Sequence, residues 1–305
     1  MSTPGLHEIT PGVHAWVQPD GSWWLNNAGA IHADGEVVLV DTCANRDRTT
    51  RFLAAVAEKT GDAPIRVALN THLHGDHVYG NVLLPDTTVI VGHTNTRQGV
   101  LDDFLLRNTP PVWSPTPNWE ITELRPPTLT FSSSVSVYAG TTEIVLRHPG
   151  YTAHTVGDVV AWLPDSGVLF TGDLVFNGVT PLVAMGSLTG AQRSVDWLRT
   201  FPVTHVVPGH GPLIPATIFP EVLDTHARYY QLVLDTARDG MTRGLSPLEA
   251  GLACDLGEFK DLPDQERMVL NLHRAYAEIT ETPMDLLKAM ADAVTYNKGP
   301  LHCAL

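Results

Sequence analysis

The stretch NTHLHGDHVYGN, residues 70 to 81, places three histidines and one aspartate within six positions. His72 and His74 are two residues apart, so they lie on one side of an extended segment and one loop can direct both at a single ion. Asp76 and His77 follow directly, and their side chains are expected to be directed at a second location. Their imidazole and carboxylate groups are ligands that suit Zn²⁺, with Fe or Mn as alternatives. The sequence therefore predicts a metal site built around this loop.

Three further candidate ligands each follow a predicted strand. They are His154 in PGYTAHTVGD, Asp173 in LFTGD and His210 in PGHG. A single histidine after a strand more often has a structural role as a hydrogen-bond partner. The assignment of these three residues as ligands is strengthened because they accompany the first motif. All of them supply nitrogen or oxygen ligands without a thiolate.

Short apolar runs alternate with polar segments in the first half of the chain. AIHADGEVVLVDT predicts two strands joined by a turn at Asp34 and Gly35, the second of which ends on Asp41. A helix is predicted over about residues 46 to 60, and IRVALNTH and TTVIVGH predict two further strands. Strands that alternate with helices indicate an α/β architecture.

A stretch rich in proline and serine, residues 109 to 134, predicts a long loop or flap. Trp113 and Trp119 lie in it, and either they form a lid or they pin the loop down. Beyond this stretch, TEIVLRHPG, DVVAWLPDSGVLFTGD and VTHVVPGHG predict a second series of strands.

Residues 216 to 305 read as helices without a ligand pattern. SPLE at 246 to 249 predicts a capping box, and TPMD at 282 to 285 repeats the pattern with Asp in place of Glu. Between them, four apolar residues recur at helical spacing: Met268, Leu272, Ala275 and Ile279. We predict a helical extension packed on residues 1 to 215, not an independent domain.

The chain is acidic. Nineteen Lys and Arg residues against 33 Asp and Glu residues give a formal net charge of -14, and no basic cluster is evident. Such a surface repels phosphate backbones and anionic lipids, so neither nucleic acid nor a membrane is an expected partner. The three cysteines form no CxxC pair and MSTPGLHEITPG resembles no leader, which favours the cytoplasm. A homo-oligomer is left open.

HLHGDH, followed by a separate His, an Asp in TGD and a final His in PGHG, resembles the metallo-β-lactamase superfamily of metal-dependent hydrolases. The likeness covers about residues 10 to 215. It implies an αβ/βα sandwich of two mixed β-sheets flanked by helices, with the metal ions at one edge. One ion would be held by His72, His74 and His154. The other would be held by Asp76, His77 and His210. Asp173 would bridge the two ions, and Asp41 would support the ligands from behind.

The resemblance also implies a reaction. Two zinc ions would lower the pKa of a bridging water, and the resulting hydroxide would attack a small acyl substrate such as a lactone, ester or thioester. Asp76 would ligate one ion and accept or return the proton. Well-known β-lactamases of this family carry Cys where this chain has Asp173, which favours the lactonase, esterase and thioesterase branches instead. Two alternatives stay open: an iron-dependent oxygenase on the same scaffold, and a non-catalytic protein that binds a ligand at the metals.

Four residues are candidates for substrate contact. Trp23 and Trp24 follow a DG turn in WVQPDGSWWLNNAG, and in this fold the corresponding hairpin can reach over the metals. The alternative is that one tryptophan only covers the sheet. Tyr151 and Asn177 lie close in sequence to His154 and Asp173, and each has a side chain that can donate a hydrogen bond to an oxyanion.

Overall fold

The structure is a computed structural model and describes residues 4 to 305. The first three residues, part of the segment examined for a leader, lie outside the described residues. The strands are, in chain order, β1 (Gly5–Thr10), β2 (Val13–Val17), β3 (Ala28–Ala33), β4 (Glu36–Val40), β5 (Ile65–Leu69), β6 (Val89–His93), β7 (Trp113–Ser114), β8 (Leu129–Phe131), β9 (Ser134–Ala139), β10 (Thr142–Arg147), β11 (Val160–Leu163), β12 (Val168–Phe176), β13 (His205–His210), β14 (Ile214–Pro215) and β15 (Leu301–His302).

The helices connect these strands and then complete the chain. They are α1 (Arg46–Thr60), α2 (Gly75–Val78), α3 (Thr94–Leu101), α4 (Leu188–Leu198), α5 (Phe219–Thr242), α6 (Pro247–Ala253), α7 (Arg267–Ile279) and α8 (Leu286–Tyr296). Two short 3₁₀ helices are also present, Tyr79–Leu83 and Gly257–Phe259. In residues 4 to 305, no helix combines the length and the apolar character needed to cross a bilayer.

Two large sheets face each other. One has seven strands in the order β1-β2-β3-β4-β5-β6-β8, and the other has six in the order β14-β13-β12-β11-β10-β9. Both are mixed: β4, β5 and β6 run parallel to one another, as do β12 and β13, whereas the hairpins at the other side of each sheet are antiparallel.

Strand β4 shows how the sequence builds this layering. Its side chains point alternately to the two faces of the sheet. Val38 and Val40 pack between the two sheets, whereas Val37 and Leu39 pack on the outer face against Phe52 of α1. A continuous apolar run therefore predicts a strand that is buried on both faces.

The six-stranded sheet is covered in the same way. Trp162 and Leu169 on its outer face pack with Leu198 of α4, Tyr230 of α5 and Leu272 of α7. Helices therefore cover both outer faces, and the predicted αβ/βα sandwich with C-terminal helices is confirmed.

The C-terminal helices agree with the sequence in one cap and differ in another. Ser246 and Glu249 form the predicted capping box of α6. The second predicted cap is wrong, because α8 begins three residues later, after Asp285, whose carboxylate accepts from the backbone N–H of Lys288. Thr282 instead closes α7, since its N–H donates to the carbonyl of Ala277. The competing Asp cap therefore determines where α8 starts.

The predicted apolar face of α7 is also only partly correct. Met268, Leu272 and Ala275 are fully buried, but Ile279, at the last turn of the helix, is 41% exposed. The division of the chain at about residue 215 stays a prediction, although one apolar cluster joins these helices to the sheet.

Candidate metal centre

The parallel strands position the predicted ligands at one edge of the sandwich. The carboxyl ends of neighbouring parallel strands meet at the same edge, so residues that follow them come together. Seven side chains converge there: His72 and His74 after β5, Asp76 and His77 in α2, His154 between β10 and β11, Asp173 in β12, and His210 at the end of β13.

Asp173 was expected to follow a strand but lies within one. Strand β12 continues to Phe176, and its pairing with β13 is interrupted between Gly172 and Phe176. Gly172 has a φ of 51°, a left-handed conformation that glycine adopts without a steric penalty. Gly209 lies so close that a Cβ there would overlap the Asp173 carboxylate. The glycines of TGD and PGHG therefore have a backbone role: one adopts a left-handed conformation and the other leaves room for the Asp173 carboxylate.

The first group of ligand atoms consists of three imidazole nitrogens. His74 Nδ1 lies 3.2 Å from His72 Nε2 and 2.9 Å from His154 Nε2. Zinc at about 2.0 to 2.1 Å from tetrahedral nitrogen ligands sets those ligands roughly 3.3 Å apart. The observed spacing is therefore close to that of a zinc site.

The second group joins α2 to the end of β13. His210 Nε2 lies 3.1 Å from Asp76 Oδ2, and His77 Nε2 lies 3.8 Å from the same oxygen. These three side chains are buried, and their ligand atoms all lie within 4.8 Å of one another.

The Asp173 carboxylate lies between the two groups. Its Oδ1 is 3.1 Å from His77 Nε2 in the second group. Its Oδ2 is 3.4 Å from His154 Nε2 in the first group and 3.4 Å from His210 Nε2 in the second. This is the position that a bridging ligand requires.

Hydrogen bonds on the far side of the imidazole rings fix their tautomers. His154 Nδ1 donates to the carbonyl of Leu182 at 2.7 Å, and His210 Nδ1 donates to the carbonyl of Gly21 at 3.0 Å. With the proton on Nδ1, the Nε2 atom of each ring presents a lone pair to the centre.

His72 and His77 are held in the same way through Asp41. His77 Nδ1 donates to Asp41 Oδ2 at 2.8 Å. Thr71 Oγ1 donates to the same oxygen at 2.7 Å, and it therefore accepts from His72 Nδ1 at 3.0 Å. Asp41 thus orients one histidine of each group, in agreement with the supporting role expected for it.

The pKa values show which charge the centre favours. Burial lowers the pKa of His72 and His74, and it lowers the pKa of His154 to about 3, so these rings are neutral, as metal ligands must be. Burial also acts to lower the pKa of His210, but Asp173 and Asp76 outweigh it and raise that pKa to about 8. The carboxylates therefore favour positive charge at the centre.

The donor set fits divalent cations. Lone pairs of His72 and His154 both face His74 Nδ1, which has at most one proton to share between them. Within residues 4 to 305, the buried atoms His77 Nε2 and Asp173 Oδ1 have no hydrogen-bond partner, although only 3.1 Å separates them. Unpaired buried polar atoms are costly, and cations held between these ligands would satisfy them.

Asp41 provides a first test of this arrangement. We expect Asp41→Asn to weaken metal binding by about 10-fold to 100-fold, because the amide no longer supplies the charge that orients the two histidines. Metal affinity measured by competition with a chromophoric chelator checks this. Asp62→Asn is the matched control, since Asp62 also has a left-handed φ but is exposed. Equal affinities in the two variants would contradict the role of Asp41.

A cavity with about 1040 Å³ of empty space, including the part open to solvent, lies over the centre. His74, Asp76, Asp173 and His210 form its polar floor. The walls are mainly apolar and come from five regions: Trp23 and Trp24, Leu73, the segment from Gly99 to Leu105, Trp113, and a later series that includes Leu182, Met185, Leu270, Leu286 and Met290. Such a site binds the larger part of a ligand by apolar contact.

The predicted substrate residues divide into two pairs. Trp23 and Trp24 line the cavity. Tyr151 and Asn177 do not: the Tyr151 ring lies under the Arg193 guanidinium, and Asn177 Nδ2 donates to the carbonyl of Pro212. Proximity in sequence to a metal ligand was therefore a weak signal for these two residues, whose side chains have partners outside the cavity lining.

The tryptophans of the proline-rich segment are both buried. Trp113 lines the cavity and packs edge-on against Trp24, with 5.2 Å between the ring centroids. Trp119 also packs edge-on against Trp24, with 4.7 Å between the ring centroids, and its Nε1 donates to Thr109 Oγ1. Trp119 thus pins the segment down, whereas Trp113 forms part of the wall.

Arg267 was not predicted from the sequence. This residue begins α7, is 2% exposed and lines the cavity. Its guanidinium lies 4.8 Å above the Trp23 ring and donates to the carbonyl of Thr180 at 2.9 Å. No local pattern indicates such a position, because it depends on the packing of α7 against the loop that holds Trp23.

A family model described as the metallo-beta-lactamase superfamily matches residues 21 to 210. Among solved structures, the stereoselective inverting sec-alkylsulfatase Pisa1 from a Pseudomonas species has a TM-score of 0.69 and 18% identity, over 90% of this chain and 50% of that chain. This chain therefore spans about half the length of the alkylsulfatase that it matches.

Two metallo-beta-lactamases are also similar. The enzyme from Pontibacter korlensis has a TM-score of 0.59 and 20% identity, over 74% of this chain and 98% of that one. FIM-1 from Pseudomonas aeruginosa, solved in the mono-zinc form, has a TM-score of 0.57 and 21% identity, over 74% and 94% of the two chains. At these identities the likenesses establish a common fold.

Proposed function

The chain belongs to the metallo-beta-lactamase superfamily of metal-dependent hydrolases, and we propose that it is a dinuclear enzyme that cleaves a small acyl substrate. Lactones, esters and thioesters are the proposed substrate classes. The observation that carries the proposal is the position of Asp173, whose two carboxylate oxygens face both groups of ligand atoms at the floor of an apolar cavity.

Seven side chains would hold two divalent ions, with zinc as the proposed metal and iron or manganese as the alternatives. His72, His74 and His154 would hold one ion. Asp76, His77 and His210 would hold the other, and Asp173 would bridge them. Ions held in this way supply a nucleophile from water at neutral pH and polarise the acyl carbonyl.

The chain's own residues supply the remaining functions. Asp76 lines the cavity floor, so its carboxylate can accept the proton of the attacking water. The apolar walls exclude bulk water and thereby strengthen electrostatic interactions within the site. Within residues 4 to 305, the cavity lining contains no Ser, Thr or Cys, which favours direct attack by water over a covalent intermediate.

We propose a small molecule, and not a nucleic acid or a membrane, as the partner. The net charge of -14 supports this because such a surface repels polyanions. The cytoplasm is the proposed compartment, which is supported by three cysteines that are all free. A homo-oligomer stays an open proposal.

A sulfate ester is the second candidate substrate. The similarity to the alkylsulfatase extends over 90% of this chain, whereas the two β-lactamases match 74% of it. A likeness at 18% identity establishes fold alone, so the acyl class, which the bridging carboxylate favours, stays first.

Metal analysis combined with a substrate panel tests the proposal. We expect about two ions per chain after metal loading, and hydrolysis of at least one of a lactone, an ester and a thioester that is lost with a chelator and restored by zinc. The panel also contains a secondary alkyl sulfate and a nucleic acid. Cleavage of the sulfate alone would replace the acyl assignment, and oxygen consumption by an iron-loaded protein would favour the oxygenase alternative. One ion at saturation would contradict the dinuclear centre.

A further inference from the structure

We propose that the non-reacting part of the substrate is an extended, uncharged apolar chain that occupies the channel from the metal floor to the cavity mouth. This inference rests on the proposed function and adds a substrate class to it. The net charge argued only against nucleic acid and membranes as partners, whereas the cavity provides a defined binding site for the tail of a small substrate.

Most of the channel wall is apolar. Phe176 and Leu182 line it beside the metal ligands, since the Phe176 ring stacks on His210 at 5.3 Å and the Leu182 carbonyl accepts from His154. Trp23 and Trp24 also belong to the wall. Trp23 and Trp24 are 8% and 7% exposed, so packing fixes their rings and leaves a small part of each accessible at the cavity. The lining consists mainly of aromatic and aliphatic groups, which suit methylene groups and offer them few polar partners.

The backbone of the aromatic wall is strained at Trp24. Trp24 has a φ of 67°, an unusual value for a bulky residue. Edge-on contacts with Trp113 and Trp119 hold its ring in place. Backbone strain of this kind is concentrated at functional sites. The strained position lies in the wall of the cavity and not in a remote loop.

Large apolar side chains also lie in the exposed part of the lining. Phe104 and Met185 line the cavity and are 39% and 38% exposed. Leu286 lines it from α8, and the adjacent Leu287 is 59% exposed. Large apolar side chains at the rim of an apolar cavity extend the binding surface outward. A chain too long for the cavity would continue along this rim.

Charged groups in the lining exclude an anionic tail. Asp102 and Asp103 lie in the lining, and Asp102 belongs to the exposed part. The one arginine in the lining, Arg267, is already paired with Asp264 at 2.8 Å. An anionic terminal group would therefore meet two carboxylates and no available cation, whereas a methyl terminus would avoid this repulsion.

The test uses the zinc-loaded full-length protein and two ligand series. We expect kcat/KM for 4-nitrophenyl esters to rise from acetate to decanoate by about fourfold per buried methylene, and then to level off. Binding of 1-hexanol, 1-octanol and 1-decanol, followed by quenching of tryptophan fluorescence, should tighten by a similar factor. An ester with a terminal carboxylate should react at least about tenfold more slowly than its neutral counterpart of equal length.

Met185→Trp tests the location of the subsite. It should narrow the mouth, lower the decanoate-to-acetate ratio and weaken the binding of 1-decanol. Leu252→Trp is the matched control, because Leu252 is an exposed apolar residue on α6 that lies outside the cavity lining. Equal ratios in the two variants would overturn the assignment of the channel.

The two proposals can fail separately. If short esters are hydrolysed but neither rate nor alcohol binding depends on chain length, the channel inference is overturned and the hydrolase proposal stands. If no acyl substrate is cleaved while alcohol binding still tightens with length, the channel is supported and the acyl reaction is wrong. The length series and the carboxylate comparison require no variant, so they remain decisive if Met185→Trp does not fold.

Discussion

Asp173→Ala should release both metal ions and reduce turnover by about a thousandfold or more. Its two oxygens face both groups of ligands, so removal of the carboxylate weakens both sites, whereas removal of any other ligand affects one group first. Metal ions contribute several kcal/mol to such reactions, and about 1.4 kcal/mol is a factor of ten in rate. Elemental analysis of the purified variant, together with kcat/KM on the best ester, checks both parts.

The control for this prediction is Asp165→Ala. Asp165 lies in the exposed turn that connects β11 to β12, so it belongs to the same hairpin as Asp173. It is not a member of either group of ligands. Its replacement should change neither metal content nor rate. If Asp173→Ala keeps two ions and full activity, Asp173 is not the bridging ligand. Loss of one ion alone would assign Asp173 to a single metal.

The metal centre is the part of this protein that sequence describes best. Metal ligation demands particular side chains, and a parallel sheet brings the ends of its strands to one edge. HLHGDH and the three isolated candidates are therefore recognisable, and the structure brings all seven side chains together. Asp41 is recognisable for the same reason, because it ends a buried apolar strand on a charged residue.

The substrate cavity was predicted less well. Trp23 and Trp24, predicted from the hairpin that can reach over the metals, line it, but Tyr151 and Asn177, predicted from closeness in sequence to His154 and Asp173, do not. Cavity walls are built by residues that are distant in sequence, and their composition resembles that of any apolar core. Leu270 and Met290, for example, belong to the same buried cluster as Trp23 and Trp24. Periodicity predicts that such residues are buried, but not whether they also contact a ligand.

The helix boundaries show a related limit. The predicted range of α1 agrees with the structure, where Asn45 caps its start and Gly61 ends it in a left-handed conformation. Near α8 two cap signals compete within four residues, and Thr282 is used to close the preceding helix. A cap motif is therefore reliable where it stands alone and ambiguous where two elements meet.

The second large effect is expected at Arg267, which connects α7 to the cavity wall. Its side chain and that of Asp264 are 2% and 7% exposed, and 2.8 Å separates their charged groups. Arg267→Met should lower the free energy of unfolding by about 3 to 5 kcal/mol, because it leaves the Asp264 carboxylate buried without its partner. Urea denaturation, followed by circular dichroism, measures this change.

An exposed ion pair provides the comparison for the buried pair of Arg267 and Asp264. Arg228 and Glu258 form a similar contact at 2.7 Å in the same helical region, but each side chain is 51% exposed, so Arg228→Met should leave the unfolding midpoint almost unchanged.

A double variant tests whether Arg267 and Asp264 act together. Asp264→Asn should lower the free energy of unfolding less in the Arg267→Met protein than in the unaltered protein, because the carboxylate that it removes already lacks its partner. Additive effects would show that the two residues act separately. Ser22 Oγ donates to Asp264 and Trp23 Nε1 donates to Glu266, so the Trp23 loop is bonded to the same turn of the chain that contains the Arg267–Asp264 pair. We therefore expect disruption of this pair to displace the Trp23 wall of the cavity, which would make the start of the helical extension part of the substrate site.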